Sequence, residues 1–209
     1  MKKIVVLAIA FLSVALTVNA AEISEKSKAV LVNIEKANAS LTTITSPVTE
    51  TRTMPNGKEF VANGNFYFSS PDKLAIRYTN PEGDYLVINP DEVAQKKKQG
   101  KTFKLSTKND RVQELSTTLI CCISGKLLGL AEANDAVVTT SEANGLINVV
   151  CEVKGKNAKD FKKIELSYDK ATMRIKSMAM TDKSNVVTKY TMDKPQFGTK
   201  IDASVFVVK

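Results

Sequence analysis

Three cysteines, Cys121, Cys122 and Cys151, are the strongest nucleophiles in the chain, which contains no histidine. Without histidine the commonest general base, metal ligand and triad member is missing. A thiolate needs an activating cation or base, whereas "LICCIS" (residues 119–124) is an apolar helical segment that suppresses ionisation. Zinc requires four close ligands, and two of the three cysteines are adjacent. Adjacent Cα atoms lie about 3.8 Å apart, below the usual disulfide span, so a Cys121–Cys122 bond is disfavoured. Buried free thiols are the expectation, and a bridge from one of the pair to Cys151 in an oxidising compartment is the alternative. Asp91 and Glu92 pair carboxylates in a solvated turn, and Gly125-Lys126 lacks the rest of a phosphate-binding loop. The residue chemistry points to a binding protein with no enzymatic activity and no cofactor or metal.

The elements around these residues begin with an export signal. Lys2 and Lys3 precede an apolar run from Ile4 to Val18, and Val18-Asn19-Ala20 supplies small residues for cleavage. The run is too short to span a bilayer, so residues 1–20 read as a secretory signal peptide and 21–209 as one folded domain. Of 30 Lys and Arg, two lie in the signal; with 22 Asp and Glu the remainder carries +6. Export argues against nucleic acid as the partner of this basic surface, and Lys96 to Lys101 fits an exposed turn.

Residues 22–44 place Ile23, Val30, Leu31, Ile34, Ala37, Leu41 and Ile44 at helical spacing, with Ser24 as N-cap. Period-two strands follow on either side of Pro55-Asn56-Gly57, a hairpin signal. Further strands are expected at 73–79, 84–89, around 93–95 and at 102–106. Asp110 to Leu128 reads as a second helix, capped by Asn109 or Asp110 and ended by Gly125 or Gly129. Strands then recur at 136–140, 146–154, 162–168, 174–181, 186–192 and 204–208. A curved antiparallel sheet would direct Phe66, Phe68, Leu74, Ile76 and Tyr78, with Ile164, Leu166 and Tyr168, to one face. These elements give one α+β domain, mostly antiparallel β with two main helices.

This order, and "GNFYFSSPDKLAIRYTNPEGDYLVIN" (residues 64–89) in particular, resembles the periplasmic outer-membrane lipoprotein carrier (LolA-like) family. Its glycine-led strand, proline, apolar-x-aromatic strand, second proline and hydrophobic strand correspond here to Gly64, Pro71, Leu74-Ala75-Ile76, Pro81 and Tyr85 to Ile88. "TDKSNVVTKYTMD" and "IDASVFVV" resemble the family's closing turn and final strand. The resemblance implies an incomplete antiparallel β-barrel with helices over its hydrophobic concave face and a cavity for lipoprotein acyl chains, with Leu74 and Ile76 at lining positions and Leu119, Ile120 and Ile123 on the facing helix. It also implies a periplasmic monomer that receives acylated lipoproteins from an inner-membrane ABC-type exporter and delivers them to an outer-membrane acceptor. An envelope sensor using the same half-barrel is the alternative. Ser70 stands where the family carries a lid-latching arginine, Ile76 replaces an aromatic, and Asn89-Pro90-Asp91 replaces an Asp-Gly turn. These departures imply a divergent member with a looser lid.

Overall fold

The structure is a computed structural model describing residues 23–97, 102–105, 110–153 and 161–208. The expected signal peptide, the 98–101 part of the lysine turn and the Asn109 cap lie outside the described residues.

Helix α1 spans Glu25–Asn38, its first turn held by Ser24 Oγ accepting from Ser27 N–H at 3.2 Å. It ends short of the expected boundary at residue 44. The Asn38 side-chain amide bonds back to Ile34 O at 2.8 Å, and the β-branched run that follows pairs as strand. Ile44 therefore belongs to β1.

The first sheet half is a meander of β1 (Thr43–Thr53), β2 (Glu59–Ser69), β3 (Lys73–Asn80), β4 (Glu82–Ile88), β5 (Val93–Lys96) and β6 (Phe103–Leu105). Gly57 turns the first hairpin at φ +79°, as the Asn-Gly pair predicts. Two helices, α2 (Asp110–Ser124) and α3 (Leu127–Ala133), then interrupt the sheet. The single second helix expected from the sequence is thus two. Gly125 sits at φ +78° between them, where a Cβ would lie 2.9 Å from the Ile34 side chain of α1.

Strands β7 (Ala136–Ala143), β8 (Leu146–Val153), β9 (Phe161–Asp169), β10 (Ile175–Asp182) and β11 (Val187–Met192) form the second meander. It closes back on the first through β11, which pairs antiparallel with β1. The resulting 12-stranded antiparallel sheet runs β6-β5-β4-β3-β2-β1-β11-β10-β9-β8-β7, with β12 (Gln196–Phe197) also on β1. It is curved and unclosed, because β6 and β7 do not meet.

Two backbone details set its shape. Pro47 lies inside the central strand β1 at the point where its neighbour changes from β12 to β11. Its carbonyl faces that gap, accepting from Asp193 N–H at 3.0 Å, so the missing proline donor falls where no ladder partner exists. Gly64 adjoins a register shift between β2 and β3, and a Cβ there would sit 2.4 Å from Arg77 O.

The concave face and the helices enclose the main core, with Leu31 and Ile34 of α1, Leu119, Cys122 and Ile123 of α2, and Leu127 of α3 packed onto the sheet. A second cluster, Ala75, Tyr85, Val87, Ala94 and Phe206, covers the opposite face. Its roof is the C-terminal segment, where the expected strand 204–208 is instead a 3₁₀ turn at Ala203–Phe206. Asp202 Oδ1 caps Ser204 N–H at 2.9 Å and nucleates that turn. Arg77 anchors it by donating to Val205 O and Val207 O. Strand β4 is buried on both faces for this reason.

Candidate functional site

Alternation along β2 and β3 turns Phe66, Phe68, Leu74, Ile76 and Tyr78 inward, and all five are buried in the main core. Leu119 and Ile123 reach the same cluster from α2, and Ile120 packs against its edge half-buried. The expected lining residues therefore belong to one core cluster, with Ile120 at its edge, while Ser70 lies apart from it. Their shared space is densely packed: Phe66, Phe68, Leu74 and Ile76 are each no more than 2% exposed. Leu166, Tyr168, Met178, Met180, Tyr190 and Met192 extend the apolar surface across the second sheet half. Methionines make part of this wall adaptable in shape.

Among the described residues, the polar contacts between helices and sheet are few. The Tyr168 hydroxyl, on β9, donates to Cys122 O of α2 at 2.7 Å inside the core. On α1, Ser27 Oγ donates to Val138 O at 3.5 Å, and Asn38 joins the helix end to Met173 O and Arg174. Ser70 is exposed in the β2–β3 connection, where its backbone N–H donates to Thr42 O at 2.8 Å. The buried carbonyl of α2 is held by Tyr168 instead.

Beyond the helices, the inner face becomes polar. A cavity of about 420 Å³ opens there, lined by Glu50, Arg52, Glu59, Phe60, Val61, Ala62, Tyr78, Pro81, Asp84 and Lys97. Tyr78 joins it to the apolar cluster. The Tyr78 hydroxyl donates to Glu50 Oε2, while Lys97 Nζ lies 3.1 Å from Glu50 Oε1. Burial pushes the Tyr78 phenol strongly up, helped by Tyr190 and the Glu50 charge, so it remains a donor. Tyr190, also in the core, is pushed up by burial and by Glu50.

Sequence reasoning missed this polar end. The signal was present: Glu50 falls in the inward phase of β1 set by Ile44 and Val48, an unusual position for a carboxylate.

The thiols behave as packing groups. Cys122 and Cys151 are buried and Cys121 is half-buried, and all three are free. Burial pushes the Cys122 thiol well up and that of Cys151 up to about 11. Burial also raises Cys121, partly offset by Lys126.

A comparison of the sequence with curated proteins gives no match. Among solved structures, a DUF1329 family protein from Desulfovibrio piger is similar at 9% identity and TM-score 0.51, over 89% of this chain and 98% of the other. An uncharacterized conserved protein from Thermus thermophilus is similar at 13% identity and TM-score 0.50, over 88% and 94%. A putative outer membrane lipoprotein-sorting protein domain from Vibrio parahaemolyticus gives 12% identity and TM-score 0.47, over 84% and 94%. The first two share the fold seen here. The sequence itself matches the family described as "Outer membrane lipoprotein carrier protein LolA" over residues 23–209, and that span takes in the whole described sheet with α1, α2 and α3. The chain belongs to the LolA family of outer membrane lipoprotein carrier proteins, as a divergent member.

Proposed function

We propose that the mature protein is a periplasmic carrier that shields lipoprotein acyl chains and moves them from the inner to the outer membrane. The observation that carries this reading is a continuous apolar concave face roofed by helices that few hydrogen bonds among the described residues tie to the sheet. Each acyl CH₂ is worth about 0.8 kcal/mol on burial, so a lipid anchor cannot cross water unshielded. The packed core is the cargo-free state, and helices α2 and α3 swing away to admit chains between Phe66, Phe68, Leu74, Ile76 and Tyr78 on one side and Leu119, Ile120 and Ile123 on the other. The helix contacts are mostly dispersive and non-directional, so chains can replace them without leaving many polar groups unpaired.

In this reading residues 1–20 direct export, the protein acts as a monomer without cofactor or catalysis, and an ABC-type exporter and an outer-membrane acceptor are its handover partners. The test is capture from vesicles bearing a purified acylated lipoprotein, beside the same polypeptide with its acylated cysteine changed to serine. Release of a water-soluble complex with the acylated form alone is expected. Equal release of both forms, or of neither, contradicts the reading. Capture without delivery to acceptor vesicles identifies an envelope sensor instead.

A further inference from the structure

The cavity at the polar end of the inner face is lined by strand and turn residues alone. Its volume of about 420 Å³ lies within the range of small-ligand sites. Among the described residues, the carboxylates Glu50, Glu59 and Asp84 and the cations Arg52 and Lys97 line this wall.

Glu50 is 4% exposed and so costly to leave uncompensated. The charge beside it comes from Lys97 Nζ, on a side chain 38% exposed that reaches in from just beyond β5. An ammonium on a half-solvated tether thus already rests against a buried carboxylate. Next to it, Phe60 and Val61 are 42% and 55% exposed, and with Ala62 they give the cavity an apolar flank. A cation site beside an apolar flank, continuous through Tyr78 with the apolar core, matches a molecule carrying an amine next to its acyl chains.

We propose that this cavity binds the ammonium-bearing head of an acylated ligand, whose cation takes the place of Lys97 Nζ on Glu50 while its chains run inward past Tyr78. The inference rests on the carrier reading and specifies which polar head accompanies the chains. Two sources share this chemistry: the free α-amine of a diacylglyceryl-cysteine and the headgroup of an ethanolamine phospholipid.

The test titrates the full mature protein with an S-dipalmitoylglyceryl-cysteinyl peptide, free or N-acetylated. In parallel it uses short-chain phosphatidylethanolamine and phosphatidylglycerol. The ammonium form of at least one pair should bind roughly ten-fold tighter than its counterpart, the scale of one charged hydrogen bond. Preference within the peptide pair assigns the source to the polypeptide terminus, and preference within the phospholipid pair assigns it to the headgroup. Glu50→Gln, which retains an acceptor for Tyr78, should abolish the preference. Lys97→Gln should strengthen it by removing the internal competitor, an increase that a purely structural Lys97 would not produce. Equal binding within both pairs, unmoved by either variant, overturns the inference and leaves the carrier reading standing. Failure of every acylated probe to bind overturns both.

Discussion

A thiol held in apolar surroundings keeps its proton, and that couples the core to alkaline pH. Cys151 ionises near 9.0 when exposed and near 11 in the fold, with burial as the cause. The folded state thus binds more protons than the unfolded state between these values. The stability this represents is complete below about pH 9 and is lost as pH rises towards about 11. Thermal melting across this range should show a fall in Tm that Cys151→Ser reduces. An equal fall in that variant would remove Cys151 as its source. At about pH 8, alkylation of the native protein should reach half-buried Cys121 first and leave Cys122 and Cys151 protected until unfolding. Rapid labelling of all three thiols would contradict the packing described here. The upward push on the thiols of "LICCIS" was legible in the sequence, because apolar neighbours on a docked helix disfavour the thiolate. The buried environment of Glu50 was harder to see, since it depends on which face of β1 the completed sheet turns inward.

Among the elements, the carrier reading asks α2 and α3 to move, and α2 is the one that is hydrogen-bonded to the sheet inside the core. Among the described residues, α2 is linked to the sheet inside the core by the Tyr168 hydroxyl on Cys122 O, a contact between residues 46 positions apart. Tyr168→Phe keeps the ring and strips the carbonyl of its donor, a loss of about 1–3 kcal/mol for a buried acceptor. Hydrogen exchange should then speed up in α2 while the amides of β1 and β2 remain protected. Uniform acceleration across the sheet would mean that Tyr168 supports global stability and does not act as a latch. Ser70→Arg is the paired control. If Tyr168 holds the helix, an arginine at the exposed Ser70 position leaves α2 exchange unchanged. Element boundaries followed the same logic of local against tertiary causes. The Asn-Gly hairpin and the Ser24 cap were legible because both are local devices. The early end of α1 was not, because pairing of Thr43 to Thr45 with β2 overrides the helical periodicity of Leu41 and Ile44. The C-terminal 3₁₀ turn was hidden for a related reason: Phe206 is buried on the second face of a sheet expected to bury only one.

On the scale of the whole molecule, the architecture follows from two meanders joined at β1, with α2 and α3 inserted between them in sequence and, together with α1, laid across the concave face in space. Period-two patterning made the strands legible, and the order of elements made the half-barrel legible through its resemblance to a family. Whether the inner space is filled could not be read, because alternation fixes the direction of a side chain and not the distance to what it faces. Among the described residues it is filled, so on the carrier reading cargo binding is an exchange of internal contacts for acyl contacts. The most direct test of that claim is native mass spectrometry of the protein isolated under native conditions from cells making acylated lipoproteins. The account predicts a complex whose added mass equals an acylated polypeptide, absent when lipoprotein acylation is blocked. Only the bare protein mass in acylating cells, from preparations that retain other non-covalent complexes, would contradict it.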